Sequence, residues 1–230
     1  EQPIARAHHG RHCRPTPFLP PFRRREDIGL FLQESNFKIG VELGVQRGFY
    51  TRDLLSKWRT ADKYVLVDVW AQQENYLDGA NVANRIHEKY MAESIANAQN
   101  MKNQGFVKDF VVCRNYTVNC ALDYPDFHFD FIYVDARHDY KGVLLDIRTW
   151  WPKLKFGGVM AGDDYAIQSE VAGNWSVNFD GTVDHTGRIV RGAVDDFFSD
   201  RFHDLKGYPR QVTVSYRENP HFLNTWAVRK

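Results

Sequence analysis

Cysteine is scarce in this chain: 230 residues contain three, Cys13, Cys113 and Cys120. Three cysteines cannot make a disulfide framework, and none sits in a C-x-x-C pair, so a scaffold built on disulfides is excluded. Long apolar runs are missing as well. The longest are short, such as Tyr64–Val67, against the ~20 residues that a membrane span needs. There is no coiled-coil heptad, no collagen period and no internal repeat at periods of roughly 20–50 residues. What is present is 43% hydrophobic and 14% aromatic residues with six Trp, enough to fill the core of one domain of moderate size. The low cysteine content fits a reducing compartment. A cytoplasmic protein fits, as does a secretory-pathway protein from which an N-terminal signal has been removed. A homo-oligomer is compatible with the composition.

The net charge of +1 hides an asymmetry, because residues 1–25 hold six Arg against one Glu. The same stretch carries five of the nine prolines and three of the nine histidines. It reads as a basic Pro/Arg-rich extension, 1–25, preceding a single domain over 26–230. An extended leader explains it better than a nucleic-acid contact, so no nucleic-acid partner is expected.

From Glu26 the pattern alternates. An amphipathic helix over Asp27–Gln33 leads to an apolar strand, Lys38–Leu43, a Gly-containing turn and a helix around Thr51–Trp58. Further strands are expected at Tyr64–Val69, Asp109–Cys113, Asp130–Val134 and Gly157–Ala161. Helices are expected at Asn81–Met101, Tyr140–Trp150 and Ala193–Ser199. This order predicts an α/β fold: a Rossmann-like, mostly parallel seven-stranded sheet with helices on both faces. Continuous apolar strands imply a sheet buried on both sides. Gln211–Tyr216 and Phe222–Val228, split by Glu218-Asn219-Pro220, predict a C-terminal antiparallel hairpin.

Ligands of open parallel sheets bind outside the carboxyl ends of the strands. The first strand ends in Glu42-Leu43-Gly44-Val45-Gln46-Arg47-Gly48. That spacing is not the G-x-G-x-x-G of a dinucleotide binder, and a carboxylate there suits an ammonium or sulfonium rather than a pyrophosphate. Asp68, at the end of the second strand, can accept hydrogen bonds from both hydroxyls of a ribose. Asp135 ends the fourth strand, and Asp163 and Asp164 end the fifth. Like charges that converge need a cation or protons, and a divalent, oxygen-loving metal such as magnesium is the natural partner. His138 follows Asp135 by three residues, and its ordinary pKa near ~6.5 suits a general base. Trp70–Asn81 and Tyr165–Arg188, the latter with Trp175 and His185, offer aromatic faces and hydrogen-bonding groups for an acceptor pocket.

Three segments carry a family resemblance: VELGVQRGFYT, YVLVDVW and FDFIYVDARHDYKGVLLDIRTWWPKLKFGGVMAGDDY. The chain resembles class I S-adenosylmethionine-dependent methyltransferases over residues 37–199. More narrowly, it is similar to the macrocin-type sugar O-methyltransferase branch and, more distantly, to catechol-type O-methyltransferases. The resemblance implies S-adenosyl-L-methionine as cofactor, with Glu42 and Gly44 at its methionine end, Gly48 opening the next helix, Asp68 on the ribose and Asn115 near the adenine. It places Asp135, Asp163 and Asp164 at the metal positions, with Asp135 also beside the cofactor, and it puts His138 and Asp135 at the catalytic centre. The implied reaction is methyl transfer to a hydroxyl of a small molecule, sugar or glycan. Asp163-Asp164 departs from the Asp-Asn of catechol-type enzymes, and Tyr50 stands where a Ser often contacts the methionine carboxylate. Glu42 and the missing third glycine disfavour a nicotinamide-dependent oxidoreductase. The intact strand-end acids disfavour a non-catalytic nucleoside-binding scaffold. No Asn-Pro-Pro-Tyr motif follows the fourth strand, which disfavours a nucleic-acid methyltransferase.

Overall fold

The computed structural model describes residues 19–199, 211–215 and 223–230. Seven strands form one sheet: β1 (Ile39–Leu43), β2 (Ala61–Asp68), β3 (Val107–Arg114), β4 (Phe129–Val134), β5 (Leu154–Gly162), β6 (Thr213–Val214) and β7 (Trp226–Arg229). Their order is β3-β2-β1-β4-β5-β7-β6. The first five pair in parallel, and β7 joins β5 and β6 antiparallel. The expected fold class and C-terminal antiparallel pair are both present. The turn at Glu218-Asn219-Pro220, together with Tyr216 and Phe222, lies outside the described residues, as does Cys13.

Side chains alternate across a strand, and each strand therefore feeds two cores. Tyr64, Leu66, Phe131 and Tyr133 point to one face, where α1 (Ile28–Glu34), α2 (Phe49–Lys57) and α3 (Asn84–Asn103) pack. Val65, Val67, Ile132 and Val134 point to the other, against α5 (Tyr140–Trp150) and α6 (Ile189–Phe198). The inner strands are apolar on both faces. The edge strand β3 is partly exposed, because nothing covers its outer residues as fully.

Two helices start away from where periodicity put them. α3 begins at Asn84 rather than Asn81, because Asn81 is spent on the preceding loop. Its carbonyl accepts from the Gln73 N–H at 2.8 Å, and its amide donates to the carbonyls of Gln73 and Tyr76 at 2.9 and 2.8 Å. α6 starts at Ile189, so that Ile189, Val190, Ala193, Val194 and Phe198 form one buried stripe. A one-turn helix, α4 (Thr117–Cys120), is too short to show a period. The end of β3 is tied to it by a Cys113–Cys120 disulfide with a Cα–Cα distance of 6.1 Å. The cysteines do not build a framework, but two of them staple this loop. No helix among the described residues is long and apolar enough to cross a membrane.

Residues 19–25, part of the extension by composition, pack as part of this structure. Leu19 and Phe22 are buried in the same cluster as Tyr50 and Leu54 of α2. Asp27 pairs with Lys57 of α2 at 2.6 Å.

The site depends on how closely β1 approaches β4. The chain turns at Gly44 with φ +88°, and a Cβ there would lie 1.9 Å from the Asp135 carbonyl oxygen. The backbone is locked on both sides, Gly44 N–H to Val67 O and Asp135 N–H to Leu43 O, each 2.8 Å. Gly44→Ala is therefore expected to cost more than ~3 kcal/mol or to prevent folding. Gly79→Ala, with nothing within 4 Å of the added Cβ, should shift stability by less than ~0.5 kcal/mol. Equal denaturant midpoints for the two variants would show that β1 and β4 can separate at no cost.

Candidate functional site

The strand order reverses between β1 and β4, and a cavity of about 810 Å³ opens above their carboxyl ends. A switch point of this kind is where open α/β sheets bind ligands. Glu42, Gly44, Asp68, Asp135, His138, Asp163 and Asp164 all line it. Most of the residues expected at strand ends thus meet in one place.

Glu42 is buried because β1 projects it into the α2-side core. One of its oxygens accepts from Thr51 Oγ at 2.6 Å and from the Tyr64 hydroxyl at 3.1 Å. Burial pushes its carboxyl up to about 8, and the nearby Asp135 charge adds to the rise that Thr51 and Tyr64 oppose. Asp68 uses one oxygen for the Gln46 N–H (2.8 Å) and the other for the Trp70 N–H (2.7 Å). Each oxygen keeps a lone pair for a ligand. Burial raises this carboxyl too, against those two hydrogen bonds. His87 of α3 also lines the cavity, and its Nε2 is buried without a partner among the described residues.

At the other end of the cavity, Asp135 Oδ1 lies 3.5 Å and Asp164 Oδ2 3.3 Å from His138 Nε2. One donor atom from each of these three residues lies within 4.8 Å of the others. Asp164 is turned inward by a left-handed backbone, φ +56°. Asp163, expected to complete the metal set, lines the same cavity but is not part of this cluster. Successive side chains at a strand end diverge. Its carboxylate pairs with Arg25 Nη1 at 2.5 Å and accepts from Thr225 Oγ at 3.0 Å. The third member of the cluster is His138 instead.

Burial raises Asp135 and takes Asp164 up to about 7; the neighbouring carboxylates add to this, and His138 opposes it. For His138, burial disfavours the charged ring. Hydrogen bonds to Asp135 and Asp78, with the charge of Asp164, outweigh it and lift the imidazole well above its ordinary value. The ring expected to be a near-neutral base is therefore biased toward its protonated form by the acids around it. Its Nδ1 faces Asp78 Oδ2 at 3.3 Å, and Trp175 lies over the ring with centroids 4.4 Å apart.

Both segments expected to shape an acceptor pocket meet here. Leu77 and Asn174 form an antiparallel bridge, and Asn75 donates to the Phe179 carbonyl at 3.3 Å. Tyr76 and Phe179 reach the cavity, whereas His185 is exposed and does not line it. Two other expected residues also stay off the wall. Gly48, φ +73°, opens α2 and lets α3 approach, since a Cβ there would sit 2.9 Å from Ser94 Cα. Asn115 is exposed, accepting from the Tyr116 N–H and from Asn119, while Tyr116, Thr117 and Val118 line the cavity.

Arg25, Thr51, Asp78 and His87 do not stand out in the sequence. Arg25 lies inside a stretch dominated by its composition. Thr51 stands beside the position where a hydroxyl was sought, and it bonds Glu42 instead of reaching the ligand space directly.

The donor sets fit two kinds of guest. Two carboxylate oxygens and an imidazole nitrogen within 4.8 Å suit a divalent cation. Buried acids with spare lone pairs, beside the unpartnered His87 Nε2, suit a nucleoside with a cationic tail.

A strand order of 3-2-1-4-5-7-6 with an antiparallel seventh strand, and a cavity over the switch point, define the class I S-adenosylmethionine-dependent methyltransferase architecture. The family described as "Methyltransferase domain" matches residues 41–165, more than half of the chain, and the chain belongs to that family. A solved O-methyltransferase from Bacillus cereus, in complex with SAH, superposes with TM-score 0.56 at 18% identity, covering 89% of this chain and 80% of that one. The O-methyltransferase TomG from Streptomyces achromogenes, in complex with SAM, gives 0.54 at 15% identity, covering 89% and 78%. In sequence, the protein y4gI of Sinorhizobium fredii is 26% identical over 138 residues, 59% of this chain; the chain spans 14% of that relative's length.

Glu42 offers a test of the site's electrostatics. Its folded-state value, about 8, lies above the ordinary 4.5. The stability it contributes is full below about 4.5 and is lost as pH rises through about 8. Glu42→Gln removes that loss. Over this interval the ligand-free variant should gain on the wild type by at most about 5 kcal/mol, read by chemical denaturation from pH 4.5 to 9. Parallel stability curves would show that Glu42 stays ionised.

Proposed function

We propose that this methyltransferase moves a methyl group from S-adenosyl-L-methionine to a hydroxyl, and that the acceptor is a sugar, a glycan or a related small polyol. The observation that carries the reading is the cluster of Asp135, His138 and Asp164, set in the same cavity as Glu42 and Asp68. The O-methyltransferases from Bacillus cereus and Streptomyces achromogenes, solved with SAH and SAM, support the same class of donor and acceptor. The macrocin-type branch is favoured by the Asp-x-x-His strand end and by the double acid Asp163-Asp164. A catechol-type acceptor is the alternative within the class.

Donor binding falls to the sheet. Glu42 faces the ammonium of the methionine moiety, and Asp68 accepts from the ribose hydroxyls. Gly44 lets the donor lie against the backbone. Once bound, the donor supplies an activated methyl on sulfonium sulfur, and a divalent ion such as magnesium, held by Asp135 and Asp164, supplies Lewis-acid polarisation of the acceptor hydroxyl. The oxygen–carbon bond forms as the carbon–sulfur bond breaks. The charges that keep the imidazole protonated are offset once Asp135 and Asp164 hold a cation, leaving His138 Nε2 free to take the hydroxyl proton while Asp78 on Nδ1 holds the ring in orientation. Alignment of two bound reactants accounts for much of the rate. Tyr76 and Phe179 line the acceptor side of the cavity, and Trp175 packs on the His138 ring.

A second reading of His138 is favoured by its position within 4.8 Å of both carboxylates: the imidazole is the third ligand of the ion. One nitrogen cannot serve in both roles, and one variant separates them. His138→Ala should leave S-adenosylhomocysteine affinity within about twofold and lower turnover by at least ~10²-fold. Manganese affinity, measured by calorimetry, should not fall if His138 is the base and should collapse if it is a ligand. Unchanged turnover would remove His138 from the mechanism. Failure of the wild type to bind S-adenosylhomocysteine would sink the enzymatic reading.

A further inference from the structure

The methionine moiety of the donor carries a carboxylate as well as an ammonium. Glu42, Asp135, Asp163 and Asp164 are among the acids that line the cavity, and a further carboxylate entering it meets repulsion unless a cation receives it. Three arginines line the cavity: Arg25, Arg47 and Arg137. Arg47 is spent on Glu93 through Nε and Nη2, at 2.7 and 3.0 Å. Arg137 is spent on Asp139 at 2.6 Å and on the carbonyls of Glu74 and Asn75 at 3.4 and 2.7 Å.

Arg25 differs. Nη1 pairs with Asp163 at 2.5 Å and lies 3.6 Å from Asp135. Nη2 and Nε have no hydrogen-bond partner among the described residues. The guanidinium lies over the Tyr50 ring, 5.2 Å from its centroid, and Tyr50 stacks on Tyr133 at 3.9 Å. It thus sits over a stacked aromatic pair, close enough to Glu42 to act on its charge. A planar fork with donors to spare matches a carboxylate. The backbone behind it is anchored, since Asp27 of the same turn pairs with Lys57 of α2 at 2.6 Å.

We infer that Arg25 is the residue that binds the donor's α-carboxylate, so that the segment before α1 closes the methionine end of the cavity. The inference rests on the donor assignment under Proposed function. Asp163 then acts as a positioning residue, holding the guanidinium in place from the side away from the ligand rather than ligating a metal.

Two ligands test it on the full chain by calorimetry. S-adenosylhomocysteine has the carboxylate; 5′-methylthioadenosine keeps the nucleoside and thioether without the amino-acid end. Arg25→Ala and Arg25→Gln should weaken S-adenosylhomocysteine at least tenfold and leave 5′-methylthioadenosine within about twofold. Arg25→Lys, which keeps the charge but loses the fork, should fall between. Melting temperatures of the variants within a few degrees of wild type confirm that the comparison is made on folded protein. Equal weakening of both ligands, or no weakening of either, overturns the inference while leaving the donor assignment intact. A wild type that binds neither ligand overturns the donor assignment, and the inference with it.

Discussion

The crowding of carboxylates at the carboxyl ends of β1, β4 and β5 is the constraint to which the rest of the site answers. Gly44 brings β1 and β4 together so tightly that no side chain fits between them. Glu42 and Asp135 are thereby placed so close that the charge of Asp135 raises Glu42, and Asp164 joins them from β5. Left alone, such a group would force protons onto its members or push the strands apart. Glu42 and Asp164 are indeed raised, to about 8 and about 7, and the chain also brings its own cations. Arg25 arrives from before α1, and His138 rises from the β4–α5 turn. Both contact Asp135. The segment ahead of α1 is consequently part of the sheet's electrostatics, whatever its composition suggests.

Acids elsewhere in the fold show what makes these different. Asp130 sits at the opposite end of β4. One of its oxygens accepts the N–H groups of Lys38 and Ile39, each at 2.9 Å, and the other takes Lys155 Nζ at 2.8 Å. Asp139 caps α5 through Gly142, pairs with Arg137 and accepts from the Phe179 N–H. Those carboxylates are structural fasteners with their lone pairs occupied. Glu42 and Asp68 are anchored by bonds that leave acceptor capacity facing the cavity. Among the described residues, the side chains of Asp135 and Asp164 pair with His138 and, for Asp135, Arg25. The distinction between fastener and site lies in the partners, not in residue type or burial.

Strand ends were legible in the sequence because buried parallel strands write continuous apolar runs, and each run stops where chemistry begins. Glu42, Asp68, Asp135 and His138 could be placed from that rule alone. It could not tell which of two consecutive acids joins Asp135 and His138, since both line the cavity. Asp163 and Asp164 differ by a left-handed backbone at the second and by the side-chain partners waiting for the first, Arg25 and Thr225, which are 138 and 62 residues away. Asn115 illustrates the same limit one strand over: a local hydrogen bond to Asn119 takes the side chain that position alone had aimed at the ligand. The Cys113–Cys120 bridge escaped because two cysteines seven residues apart need the β3–α4 turn to bring them together. Arg25 was hidden by its neighbours' composition.

In the proposed function, the division of labour between strands and loops decides what can vary. The donor side rests on β1, β2 and the turn before α1, fixed by backbone hydrogen bonds and by aromatic stacking beneath Arg25. The acceptor side is made by two loops far apart in sequence, joined through Leu77 and Asn174, and it meets the donor side at His138. Asp78 belongs to the first of these loops and Trp175 to the second, and each touches a different part of the same imidazole. A change in either loop made to admit another acceptor therefore also moves a contact of His138. Acceptor choice and proton transfer are tied through one side chain, and the donor side reaches that side chain through Arg25 and Asp135.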